Sequence, residues 1–406
     1  MIQKMALEGI RVICFGMGGA APLATATLAD YGAEVIKVEP TTGDWSRTTP
    51  GLGTREFNRN KKGIAIDLKN PEGVGLARRL IEGADAVMES FRPGVMDRLG
   101  LGYDAVKAFN PRIVYCSVTG YGQTGPWKDR PGVDGVIQAI AGVMTVLGPD
   151  ELDSNEHAGE PIKVPFPIVD MTAGMLAAQG MLVALLARER HGIGQRVDMS
   201  LLEAALVIQK SSLTRYMSTG KQPPRTGSRA PYATPNQAFR TQDGHIMVAA
   251  YTPARWKAFC HNVLCRPDLE TDPRFGTRQE RQLHLQELIE IVTDIFRHKT
   301  SEELLRLCEE NDLVCAPINH YAQVLELEQI KARNAIGTIE FADGRTMRTV
   351  MPAPKLSETP GTVRSPYPEF IGMHTREVLR SFAIKDEEIE RLASLGAIGI
   401  HSPSAS

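Results

Sequence analysis

At 406 residues the chain is too long for one ordinary hydrophobic core, and about two to three packing units are expected. Apolar residues make up 42% and charged residues 23%, and a formal net charge of −2 gives no electrostatic footing for a nucleic-acid partner. Six cysteines without a C-x-x-C pair and nine histidines without an H-x-x-x-H spacing argue against a disulfide framework or a zinc site, so the expectation is a cytoplasmic protein with reduced thiols, small ligands and no metal.

The opening "MIQKMALEGIRVICFG" lacks the long apolar region and cleavage site of a signal peptide, and no run reads as membrane-spanning, so no membrane partner is expected. Residues 10–16, "IRVICFG", are β-branched and apolar like a buried strand; 21–32 are small and helical; 33–39, "AEVIKVE", form a second strand. After this βαβ opening come "KGIAIDL" (62–68) as a strand, "PEGVGLARRLIEGA" (71–84) as a helix, "DAVMES" (85–90) as a strand, and, past a short helix, "NPRIVYCSVTG" (110–120) as another. Strands alternating with helices predict a mostly parallel sheet covered on both faces.

In "PFPIVDMTAGM" (165–175) an apolar extended run meets small helix-forming residues at Asp170, where a helix N-cap is one reading and a nucleophilic carboxylate another. Residues 171–190 read as a long buried helix, and 195–217 add a short strand and a further helix. The Pro, Gly, Ser and Thr of 218–236 suggest a linker or covering loop, and the strand at 244–250 with amphipathic helices at 278–297 and 300–311 predict a smaller α+β unit over 237–325. The tail promises a hairpin and Pro-rich crossing over 337–361 and a closing helix over 374–396.

Two chemical patterns compete. In "GMGGAA", Gly16, Gly18 and Ala21 fit the G-x-G-x-x-G/A turn of dinucleotide enzymes, with Glu39 placed where a ribose hydroxyl would be held. The rival pattern is spread over the whole chain: "YGAEVIKVEP", "FNRNKKGIAIDLKNPEG", "ADAVMESFRPGVMDRLGLGY", "NPRIVYCSVTGYGQTGP", "PIVDMTAG", "GIGQRVDMSLLEAAL" and "GMHTREVL", in that order.

These segments resemble the class III CoA-transferases, the family of formyl-CoA and carnitine CoA-transferases, over roughly residues 6–397. The resemblance implies a Rossmann-like, doubly wound α/β large domain built from 1–217 and 330–406, an inserted smaller domain, and an interlocked homodimer. Coenzyme A or an acyl-CoA is then the substrate, NAD is not used, and no cofactor is held permanently. Asp170 matches the family's catalytic aspartate, which carries the acyl group as an anhydride and CoA as a thioester. CoA-binding positions carried over are Gly19, Ala20, Ile66, Asp67, Leu68, Lys69, Ser90, Phe91, Arg92, Arg98, Thr119, Gly120 and Tyr121. CoA would pass from an acyl-CoA, such as succinyl-CoA, to a free carboxylic acid.

The departures also carry information. Gly19 replaces the glutamine of formyl-CoA transferase and no glycine-only lid follows the linker, which weakens the formyl and oxalate pair as substrates, while Pro40 replaces a family arginine, so that one CoA contact is expected to be absent. The α-methylacyl-CoA racemases of the same superfamily carry a histidine where this chain has Val133, and valine cannot exchange a proton. Loops at 140–165 and 215–255 are expected to set specificity. Arg215, Arg225 and Arg229 are candidates for holding a second carboxylate, against a reading as solvated charges.

Overall fold

A computed structural model describes residues 4–48, 55–150 and 160–401. The chain divides into two compact units: the first takes the chain up to Ala141, Pro165–Lys210 and everything from Glu328, and the second takes Gly142–Val164 and Ser211–Leu327.

In the first unit, six parallel strands β1 (Arg11–Cys14), β2 (Glu34–Glu39), β3 (Lys61–Ile66), β4 (Ala86–Glu89), β5 (Val114–Thr119) and β6 (Gln195–Ser200) stand in the order 3-2-1-4-5-6. This is the doubly wound order expected when βα units wind outward from β1 in both directions. Strands β4 and β5 are buried along their whole length, which explains their near-continuous apolar runs. Ile13, Ile36, Ile64, Val87 and Tyr115 pack into one core with Leu76, Leu80 and Ile81 of the Pro71–Glu82 helix. That helix starts as its sequence predicts: the Asn70 side chain accepts the Glu72 N–H at 3.0 Å, and Pro71 fills the first turn.

The second unit carries an antiparallel sheet of β7 (Asn236–Arg240), β8 (His245–Ala249) and β9 (Val314–Pro317). Phe239, Trp256, Phe259 and Phe296 form its aromatic core. Segment 218–236, expected as a linker or covering loop, belongs to this unit: Arg229 forks onto Asp150 (Nε–Oδ2 2.9 Å, Nη2–Oδ1 3.0 Å), so the loop has its own buried anchor. In the tail, β10 (Ile336–Glu340) and β11 (Thr346–Val350) form the expected hairpin. A short strand that sequence reading missed, β12 (Ile398–Gly399), closes the large sheet antiparallel to β3.

Three local expectations fail. The 374–396 helix is two, Thr375–Ser381 and Asp386–Ser394, broken where Ala383 takes a φ of 57°. Similarly, 278–297 divides at His284 into Arg278–Leu283 and Leu285–Phe296. The long helix runs Ile168–His191, with no strand before it, and is only partly buried: Met175, Val183 and Leu186 are exposed. It is also, by length and composition, apolar enough to cross a membrane, contrary to the reading that no run was; half of that span is buried inside the structure.

Candidate active site

Strands β1 and β4 are neighbours, yet the chain leaves them in opposite directions along the sheet, which opens a crevice at their carboxyl ends. The turns after them are tied together by the Met17 N–H donating to Ser90 Oγ at 3.0 Å. Gly18 takes a φ of 75°, a conformation that costs glycine little. The Ala20–Asp30 helix then begins at Gly19 with no side chain capping its first turn, so its leading N–H groups are unclaimed by a cap.

Asp170 meets this turn directly. A β-carbon at Gly19 would lie 2.7 Å from Asp170 Oδ2, so the glycine is what makes room for the carboxylate. Behind it the two helices close on small residues, since a β-carbon at Gly174 would stand 2.8 Å from the Ala20 carbonyl oxygen. Asp170 is the third residue of its helix and caps nothing, which corrects the N-cap reading. The cap comes from Asp134, whose Oδ2 accepts the N–H groups of Val169 at 2.7 Å and Asp170 at 3.1 Å. Its other oxygen takes the Gln138 amide at 2.6 Å. Burial first, and the neighbouring Asp134 charge second, push the Asp170 carboxyl up to about 6. A carboxylate made more basic than usual is a better nucleophile and still ionised at neutral pH.

The residues carried over for CoA fall at the same carboxyl edge of the parallel sheet. Gly19 and Ala20 follow β1; Ile66 ends β3 and Asp67, Leu68 and Lys69 follow it; Ser90, Phe91 and Arg92 follow β4; Thr119 ends β5, and Gly120 and Tyr121 follow. Asp67 Oδ1 accepts the Lys69 N–H at 2.9 Å, and Thr119 Oγ1 accepts the Gly122 N–H at 3.0 Å, so both turns are internally braced. Glu89, raised to about 7 by burial, accepts the Phe91 N–H at 2.8 Å and holds the Ser90–Arg92 turn. Arg98 ends the short Val95–Arg98 helix beyond it. Lys69, Arg92 and Arg98 are exposed and form no ion pair among the described residues.

Other expectations are revised. Glu39 is buried and occupied, accepting Arg47 Nε and Nη2, both at 2.6 Å, and the Asp44 N–H at 3.0 Å, so it is not presented to a ribose. Gly16 serves packing, its missing β-carbon making room for Ala21. Arg229 is neither a solvated charge nor open to a substrate carboxylate, being 8% exposed and engaged by Asp150. Val133 is 65% exposed at the head of the Asp134–Ile140 helix, and offers no acid or base there. Asp134 and Glu89 were missed by sequence reading; the only trace of the first is an acid opening a helix in "GVDGV", with no hint of its partner 36 positions on.

The chain is similar to known proteins over most of its length. The profile described as CoA-transferase family III matches residues 7–375. An acyl-CoA transferase of Fusarium pseudograminearum is 35% identical over 97% of this chain and 88% of its own. A succinate–glutarate CoA-transferase of Agrobacterium fabrum is 32% identical over 97% of this chain and 98% of its own. The crystal structure of a CAIB/BAIF family protein from Brucella suis superposes with a TM-score of 0.81 at 29% identity, covering 94% of this chain and 100% of that one. With a profile spanning most of the sequence and relatives matched almost end to end, the chain belongs to CoA-transferase family III.

Proposed function

We propose that the protein transfers CoA from succinyl-CoA to a second short carboxylic acid, with Asp170 as the covalent carrier. The observation that carries this reading is the seat of Asp170: a partly buried carboxyl, raised to about 6, against Gly19 and the uncapped N-terminus of the Ala20–Asp30 helix. The dicarboxylic substrates follow the Agrobacterium relative.

In the first half-reaction Asp170 attacks the thioester carbonyl. The oxyanion that develops is met by the free N–H groups at Gly19 and Ala20, the C–S bond breaks, and CoA leaves as a thiolate. The thiolate then attacks the aspartyl carbonyl of the mixed anhydride, which releases the donor acid and leaves an aspartyl-CoA thioester. The acceptor carboxylate reverses the sequence: it displaces the thiolate to form a second anhydride, and thiolate attack on its acyl carbonyl yields the new acyl-CoA and free Asp170. Lys69, Arg92 and Arg98 are assigned to the phosphates of CoA, where charge-assisted hydrogen bonds are strong. The racemase alternative lacks support, since Val133 provides no second proton-transfer group.

A homodimer belongs to the same reading. Met171, Met175, Leu182 and Leu186 recur at helical spacing on the long helix and are each at least 37% exposed, a stripe that a second copy of the chain would cover. Sedimentation velocity is expected to give twice the chain mass.

Incubation with succinyl-CoA and hydroxylamine tests the carrier. Interception of either activated carbonyl should leave a hydroxamate at Asp170, located by peptide mass spectrometry, with activity lost in step. A label on another carboxylate, or transfer without any trappable intermediate, would refute the assignment.

A further inference from the structure

Trp45 is a large apolar side chain left 57% exposed, yet the backbone that carries it is pinned by buried charge on either side. Asp44, only 4% exposed, accepts from Lys37 Nζ at 2.8 Å and from the Ser46 N–H at 2.9 Å. Its own N–H donates to Glu39 Oε2, the same carboxylate that Arg47 grips through two guanidinium nitrogens. Breaking such an arrangement would strand a buried charge, so the turn that bears Trp45 is held in place.

The indole lies over Gly18, where a β-carbon would stand 2.9 Å from its Cζ2. The next residue, Gly19, meets Asp170 in the same manner at 2.7 Å. Since consecutive Cα atoms are about 3.8 Å apart, the ring and the carboxylate are at most about 12 Å from each other. Two adjacent glycines thus bring a rigid apolar face and the nucleophile to one turn.

We propose that the Trp45 indole is a wall of the space that receives the acyl group in front of Asp170, and that it selects short acids over long ones. The inference rests on the CoA-transfer reading given above. A wall at a fixed distance from the nucleophile limits the length of acid that fits, and each misfitted methylene in an apolar pocket is worth about 10-fold or more in kcat/KM.

The test uses the full-length enzyme with succinyl-CoA as donor and glutarate, adipate and suberate as acceptors. Trp45→Ala is expected to raise the suberate-to-glutarate ratio of kcat/KM by about 10-fold or more, Trp45→Leu by an intermediate factor, and Trp45→Phe, which keeps a flat wall, by less than about 3-fold. Trp45→Leu provides the measurement should the alanine variant not fold. Hydroxamate formation at Asp170 is followed in every variant. If Asp170 is labelled throughout and the acceptor ratio does not move, or all acids change equally, the role of Trp45 is overturned while CoA transfer stands. If wild-type Asp170 is never labelled and no acid accepts CoA, the transfer reading falls and takes this inference with it.

Discussion

The surroundings of Asp170 in the first unit and the core of the second unit are filled by opposite means. Around Asp170 the first unit uses almost no side-chain volume: Gly18, Gly19, Ala20 and Gly174 let backbone and helix ends close to within contact distance. The second unit is filled by its largest residues, with Trp256, Phe259 and Phe296 at 2% exposure or less and Phe296 edge-on to both Phe239 and Phe259. Close approach of backbones leaves one reactive group seated between helix ends, where hydration is poor and directed N–H groups are near. Aromatic filling supplies stability and offers no such seat. If the proposed carrier role of Asp170 holds, the chemistry of this chain sits where side chains are missing, and variants of the two regions should separate accordingly.

The largest effect is expected at Asp170. Asp170→Asn should lower transfer by at least about 10³-fold and abolish hydroxamate labelling, because the amide cannot carry the acyl group. Stability should hold or rise slightly at neutral pH, since the native state disfavours this charge. The sign follows from the raised native value. As pH climbs from the usual carboxylate range through about 6, the unfolded wild type loses its proton first, so wild-type stability declines over that window and levels off above it. The Asn variant should lack this decline in denaturant titrations at pH 4 to about 7. Near-normal turnover in Asp170→Asn would erase the contrast between the two units.

Phe296→Ala should do the reverse. Emptying a fully buried ring position is expected to cost about 3–5 kcal/mol, seen as an earlier unfolding transition of Trp256 fluorescence. Below that transition, labelling of Asp170 should match wild type. A folded variant with lost labelling would show that the aromatic unit governs the nucleophile, and the comparison would have to be redrawn.

The smallest effect sharpens the comparison within the site. Asp134→Asn keeps an acceptor for the Val169 and Asp170 N–H groups but removes the charge that helps to raise Asp170. Activity requires ionised Asp170, so the wild-type acid limb of kcat/KM should fall near about 6 and move to lower pH in the variant, with burial still holding it above the ordinary carboxylate range. The rate at neutral pH should drop by about 10-fold or less, as one charge-assisted hydrogen-bond set becomes neutral. An acid limb that stayed in place would remove Asp134 from the electrostatics of the site.

What the sequence determined by itself is what repeats locally. Alternating apolar strands and helices in "IRVICFG", "AEVIKVE" and "DAVMES" announced the parallel sheet, because burial on both faces demands continuous apolar runs. Asn70 before Pro71 marked a helix start, and Asp170 was legible as a candidate nucleophile through its segment's likeness to a family. The sequence was silent wherever a group's role depends on a distant neighbour. Asp170 looked like a cap until Asp134, 36 residues earlier, was found holding that helix end. Glu39 looked free for a ribose until Arg47 and Asp44 were seen to occupy it, and nothing in the loop's sequence pointed to the grip of Arg229 on Asp150. The physical reason is common to all of them. Periodicity and turn chemistry act over a few residues and can be read along the chain, whereas the burial and charge that set a carboxylate's reactivity come from segments that only the tertiary fold brings together.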